Sequence, residues 1–160
     1  MVDVRQLDGA SDGASSAAAA IDFPVSVRPV GEDDLPWGLA LHQRRSNLHY
    51  DADTALTWVR NVVLRMPQNF RAMRSDDAFV VTMITALPWQ PNALRAHVMI
   101  LSAEEGKIWQ VPPLLRDSLE WARRRNAVSW SCQAAPGLNL WPLAKRIGAN
   151  IIEPRYTLNL

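Results

Sequence analysis

Cysteine is nearly absent. Cys132 is the only one, which excludes an intramolecular disulfide and any multi-cysteine metal site. Histidine is also scarce: His42, His49 and His97 stand far apart, without the H-x-x-x-H type of spacing that marks a metal centre. No apolar run approaches the roughly 18 residues of a membrane span. An excess of one charge is missing too. Seventeen basic and sixteen acidic side chains leave a net +1, so composition offers no general attraction to nucleic acid or an anionic membrane. The opening MVDVRQLDG carries acids where a signal peptide carries positive charge, and export by that route is not expected. Glycine is thin in the second half, Gly106 being the only one between 95 and 136.

What is present is a chain of 160 residues with 48% apolar content, enough for one domain with its own core. Seven tryptophans, at 37, 58, 89, 109, 121, 130 and 141, are many for this length. Most are expected to fill the core. Trp89, between Pro88 and Pro91, reads instead as an exposed anchor for a protein partner. Residues 1–22 read as a low-complexity tail, DGASDGASSAAAAID at its centre, with no period and little to bury. Such a tail is either disordered or held by a neighbouring chain. Val2, Val4, Leu7 and Ile21 are the apolar side chains available to anchor it.

Residues 23–160 read as a single domain. VSVRPV (25–30) alternates like a strand. Acids at Glu32, Asp33 and Asp34 precede a helical pattern that ends near Arg44 and Arg45. A second helix, TALTWVRNVVLRM, is expected to be capped by Asp53 or Thr54 and to stop before Pro67. Strands come next at 69–75 and 77–87, joined by a turn at Ser75–Asp76–Asp77, and PWQPNA reads as a loop. The stretch 95–134 then organises the rest: strand 95–102, loop EEGKIWQV, a helix over 113–125 and strand 127–134. In that helix Leu115, Leu119 and Ala122 make an apolar stripe widened by Leu114 and Trp121. Pro112 and Pro113 suit its start, where a missing N–H costs nothing. Arg123–Arg124–Arg125 at its end suit the helix dipole and solvent; contact with phosphate is the sharper alternative. A short helix ending at Gly148 and the closing IIEPRYTLNL complete the order β-α-α-β-β-β-α-β-α-β. The fold class is α/β (α+β), a mixed, mostly antiparallel sheet flanked by about four helices.

Three segments carry a family resemblance. VSVRPVGEDDLPWGLALH looks like the opening strand and helix of the GNAT superfamily of acyl-CoA-dependent N-acyltransferases. LLRDSLEWARRRNA (114–127) is similar to that family's central helix, and LAKRIGANIIEPRYTLNL (143–160) resembles its ending. The likeness covers about residues 25–160.

The resemblance implies a loop of the form [QR]-x-x-G-x-[GA] before the central helix, its backbone cradling the CoA pyrophosphate. Here Gly106 falls on the basic or Gln position, and Trp109 and Val111 fall on the two glycine positions. Pro112 and Pro113 come after them, neither with an N–H to donate. The family's proton-donating Tyr would fall on Ala144, whereas the tyrosines are Tyr50 and Tyr156. Glu104, Glu105 and Asp117 read as ordinary surface carboxylates and Cys132 as a small buried hydrophobe. The resulting expectation is a non-catalytic GNAT-like protein with no cofactor. It would bind other protein chains of a larger assembly such as a phage virion, in the virion or host cytoplasm. Neither membrane, nucleic acid nor a small-molecule substrate is expected. The alternative is an acetyltransferase that uses acetyl-CoA through a divergent loop.

Overall fold

The structure is a computed structural model that describes residues 24–46, 49–87 and 89–133. Their order is β1 (Arg28–Pro29), a 3-10 turn at Glu32–Asp34, α1 (Leu35–Ser46), then α2 (Ala52–Trp58) prolonged by a π-helical turn at Val59–Val63. Next come β2 (Phe70–Arg74), β3 (Ala78–Leu87), β4 (Gln90–Ala103), a 3-10 turn at Ile108–Gln110, α3 (Val111–Arg124) and β5 (Ser129–Cys132). The strands form one sheet in the order β1-β2-β3-β4-β5. The first four are antiparallel and β5 lies parallel to β4, as a helical crossover permits. This is the mixed, mostly antiparallel α+β sheet that the sequence order predicts. The tail with Val2, Val4, Leu7 and Ile21, the expected helix near 143–148 and the closing strands lie outside the described residues.

The period-two pattern of β3 divides the core between two faces. Phe79 and Val81 point toward α1 and the α2 turn, packing with Leu35, Leu39, Val59, Val63 and Ile100. Val80 points the other way, toward Val111, Leu114 and Leu115 of α3. Helix α1 comes so close to the sheet that a Cβ on Gly38 would lie 2.9 Å from the Phe79 ring. The corner before α1 is held by Asp34, which accepts from Arg28 (2.7 and 2.8 Å), Arg74 (2.7 Å) and the Gly31 N–H (2.9 Å). Arg28 above all, with Gly31 and Arg74, holds the Asp34 carboxyl far below the usual carboxylate range against the cost of its burial.

Several sequence expectations are corrected. Of the strand expected at 25–30 only Arg28–Pro29 pairs, at the sheet edge, where a proline removes no needed ladder bond. Asp51, not Asp53 or Thr54, caps α2, accepting the Thr54 N–H at 2.6 Å. Most of the expected PWQPNA loop (88–93) is already strand, since β4 starts at Gln90. In α3 the buried set is Val111, Leu114, Leu115, Ser118, Trp121 and Ala122, with Leu119 only half-buried. Ser118 takes the middle of the stripe because its hydroxyl bonds Thr82 Oγ1 (2.7 Å) and receives the Trp130 indole N–H (2.9 Å). Among the described tryptophans only Trp121 is buried. The indole's polar edge and π-face find other uses: Trp37 stacks under the Arg74 guanidinium at 4.1 Å.

Candidate functional site

A ligand site in this architecture lies where β4 gives way to α3, because strand ends, loop and helix start converge there. β5 pairs with β4 from Arg95↔Ser129 to Val98↔Cys132. The next residue, Met99, is bulged: Val81 pairs with Ile100 while Thr82 pairs with Val98. β4 continues to Ala103 beside β3, and the bulge falls one residue past the last described pair with β5. Bulges commonly end a ladder and re-aim a side chain, and Met99 is exposed.

The loop above the notch is built from turns. Lys107 N–H bonds the Glu104 carbonyl and Gln110 N–H bonds the Lys107 carbonyl, both at 3.0 Å. Gly106 has φ +71°, a left-handed conformation that favours glycine. The Gln110 side chain turns back to the β2–β3 turn. It accepts the Asp77 N–H (3.0 Å) and donates to the Asp77 carboxylate (2.6 Å), and Lys107 stands 3.8 Å from the same carboxylate. Gln110 is thereby buried with its polar atoms satisfied.

The candidate acids and nucleophile are engaged elsewhere. Glu104 pairs with Arg44 at 3.0 Å and Asp117 with Arg71 at 2.9 Å, while Glu105 is open to solvent near Arg45. Burial pushes the Cys132 thiol up to about 12, which removes thiolate character at neutral pH. His42 Nδ1 meets the buried Ser102 hydroxyl at 3.0 Å, and burial lowers its pKa. On the same side of the sheet His97 Nδ1 lies 2.7 Å from Ser131 Oγ as a cross-strand pair. Among the described residues no group of three or more His, Cys, Asp or Glu could hold a metal, and no helix is long and apolar enough to cross a membrane.

No protein-family model matches the chain, and no curated protein matches it. Solved structures do match. An acetyltransferase from Trypanosoma brucei superposes with TM-score 0.65 at 14% identity, over 85% of this chain and 99% of its own. Glucosamine-6-phosphate N-acetyltransferase from Arabidopsis thaliana gives 0.67 at 8% identity, over 86% and 99%. A Clostridium acetobutylicum protein described as a predicted acetyltransferase, solved with acetyl-CoA, gives 0.65 at 14%, over 84% and 96%. The fold is that of the GNAT acetyltransferases. At these identities the likeness shows the fold alone.

A GNAT fold implies acyl-CoA, so the loop must be tested against its pyrophosphate. A helix start ordinarily leaves backbone N–H groups free for an anion. At the start of α3 the Val111 N–H already bonds Ile108, and Pro112 and Pro113 at the first helical positions have no N–H. The side chains around the loop are Glu104 paired with Arg44, Glu105 near Arg45, an Asp77-bound Lys107, and the exposed Ile108 and Trp109. These residues do not fit a pyrophosphate held as this fold holds it.

The structure thus brings Gly106, Trp109, Val111 and Pro112 to one loop. Trp109, on one of the family's glycine positions, is 44% exposed. Trp89 sits at the opposite end of β4, at the tip of the β3–β4 hairpin, with 74% exposure. Sequence reasoning missed Met99, the Gln110–Asp77 clamp and the His42–Ser102 contact. Only the polar Gln110, in an otherwise apolar IWQVPP run, offered any signal.

Proposed function

We propose that this protein is a GNAT-fold interaction module that works without acyl-CoA, inside a larger protein assembly; a phage virion is the assembly that the sequence resemblance implies. The observation that carries this reading is the start of α3. Two consecutive prolines remove the amides a phosphate would need, and the flanking Gln110 is committed to Asp77. Trp89, exposed at the hairpin tip, is the partner anchor in the described part of the chain, and Val2, Val4, Leu7 and Ile21 serve the same role in the tail. Isothermal titration with acetyl-CoA tests the reading. Binding no tighter than about millimolar, roughly −4 kcal/mol, is expected. Micromolar binding competed by free CoA would overturn it.

One observation favours a second reading, an acetyltransferase with a divergent cofactor loop. β4 carries an exposed bulge at Met99, one residue past its last described pair with β5, and a strand kinked there can leave its edge to an extended ligand. The same titration separates the two readings.

A further inference from the structure

The outer face of α3 carries charge that the fold does not use. Arg116, Glu120 and Arg123 share one exposed face at i, i+4 and i+7, with Arg124 beside them. Arg125 reaches the Pro67 carbonyl at 3.3 Å, two residues along the chain from the exposed Arg65. Arg116, Arg123 and Arg124 therefore flank one carboxylate, Glu120, in a chain whose net charge is only +1. Glu120 is shared with Arg124 at 3.5 Å. The other acid of the helix, Asp117, faces inward to Arg71. Among the described residues no carboxylate pairs with Arg65, Arg116 or Arg123.

The helix dipole accounts for part of this only. It favours cations in the last turn, which covers Arg123 and Arg124 but neither Arg116, two turns earlier, nor Arg65, which belongs to another segment. We propose that this face docks an acidic segment of a partner protein. Guanidinium groups suit carboxylates because they pair with them in a planar, two-pronged geometry. A nucleic acid fits less well for two reasons. Glu120 stands in the middle of the stripe, where a continuous line of phosphates would meet it. Among the described residues the patch also offers no exposed ring for base stacking, since Trp121 lies buried beneath Arg125. The inference is independent of whether the notch takes a cofactor, because α3 presents this face on the side away from the sheet.

The test uses the full chain and two fluorescent probes, a glutamate-rich peptide and a mixed-sequence DNA duplex, read by anisotropy at about 50 and about 200 mM salt. The peptide should bind, weaken by about tenfold or more as salt rises, and lose at least tenfold in affinity to the double variant Arg116→Glu/Arg123→Glu. Neither arginine makes an ion pair with a described residue, so the variant should keep the wild-type circular-dichroism melt. If it does not, the milder Arg116→Gln/Arg123→Gln variant takes its place and should still lose most of the binding. A peptide that fails to bind, or binds wild type and folded variant alike, overturns the proposal. Tighter binding of the duplex than of the peptide overturns it in favour of a nucleic-acid surface.

Discussion

The two sides of β4 are built differently. Toward β3 the ladder runs from Gln90 at one end to Ala103 at the other, interrupted only by two register shifts, and side chains from both faces of that pair feed the core. Toward β5 the described pairing stops at Val98, and beyond it β4 carries an exposed bulge and leads into a loop of turns. One side is held by burial of apolar surface, which is costly to disturb. The other combines the partly buried Trp130 and Cys132 with a loop pinned by the polar Gln110–Asp77 contacts. The segment before α3 can therefore carry Pro112–Pro113 while the β2–β3–β4 framework stays intact.

The largest effect should come from the β3 side. Phe79→Ala empties the space between Gly38 of α1 and the sheet, because Phe79 is fully buried against that helix. It should cost about 3–5 kcal/mol in urea unfolding; a loss under about 1 kcal/mol would mean that α1 does not pack there. An intermediate effect is expected at the junction of the two regions. Gln110→Ala leaves the Asp77 N–H without its partner and should cost about 1–3 kcal/mol, with faster amide exchange at Asp77. Unchanged exchange would show the clamp to be incidental. The smallest effect belongs to the β5 side: Met99→Ser, at an exposed bulge, should shift stability by no more than about 0.5 kcal/mol. A loss comparable to that of Phe79→Ala would show that the notch side carries the fold as much as the ladder side does, and the contrast would fail.

Local signals made much of the framework legible. The apolar run of 77–87, the helical spacing around Leu114, Leu115 and Ala122, and the proline start of α3 each depend on neighbours a few residues away, and each gives its expected element. The departures share a cause. Leu119 fits the helical period but stays half-buried, whereas Ser118 is buried because Thr82 and Trp130 supply hydrogen bonds from distant strands. Six tryptophans could be placed against the structure, and most face polar partners or solvent, because an indole near a guanidinium or hydroxyl gains more than apolar burial alone predicts.

By itself the sequence determined the order of the described strands and helices, the proline start of α3 and the exclusion of intramolecular disulfide and multi-cysteine metal chemistry, since these depend on residue type and short spacing. Tertiary structure alone decided that β4 bulges at Met99 against β3, that Gln110 closes onto Asp77, and that Arg125 reaches the Pro67 carbonyl. A bulge exists only relative to a partner strand. A clamp exists only when two turns separated by more than thirty residues in sequence are folded together. No period in a single chain encodes either, because their energies come from contacts that the chain makes only once it has closed on itself.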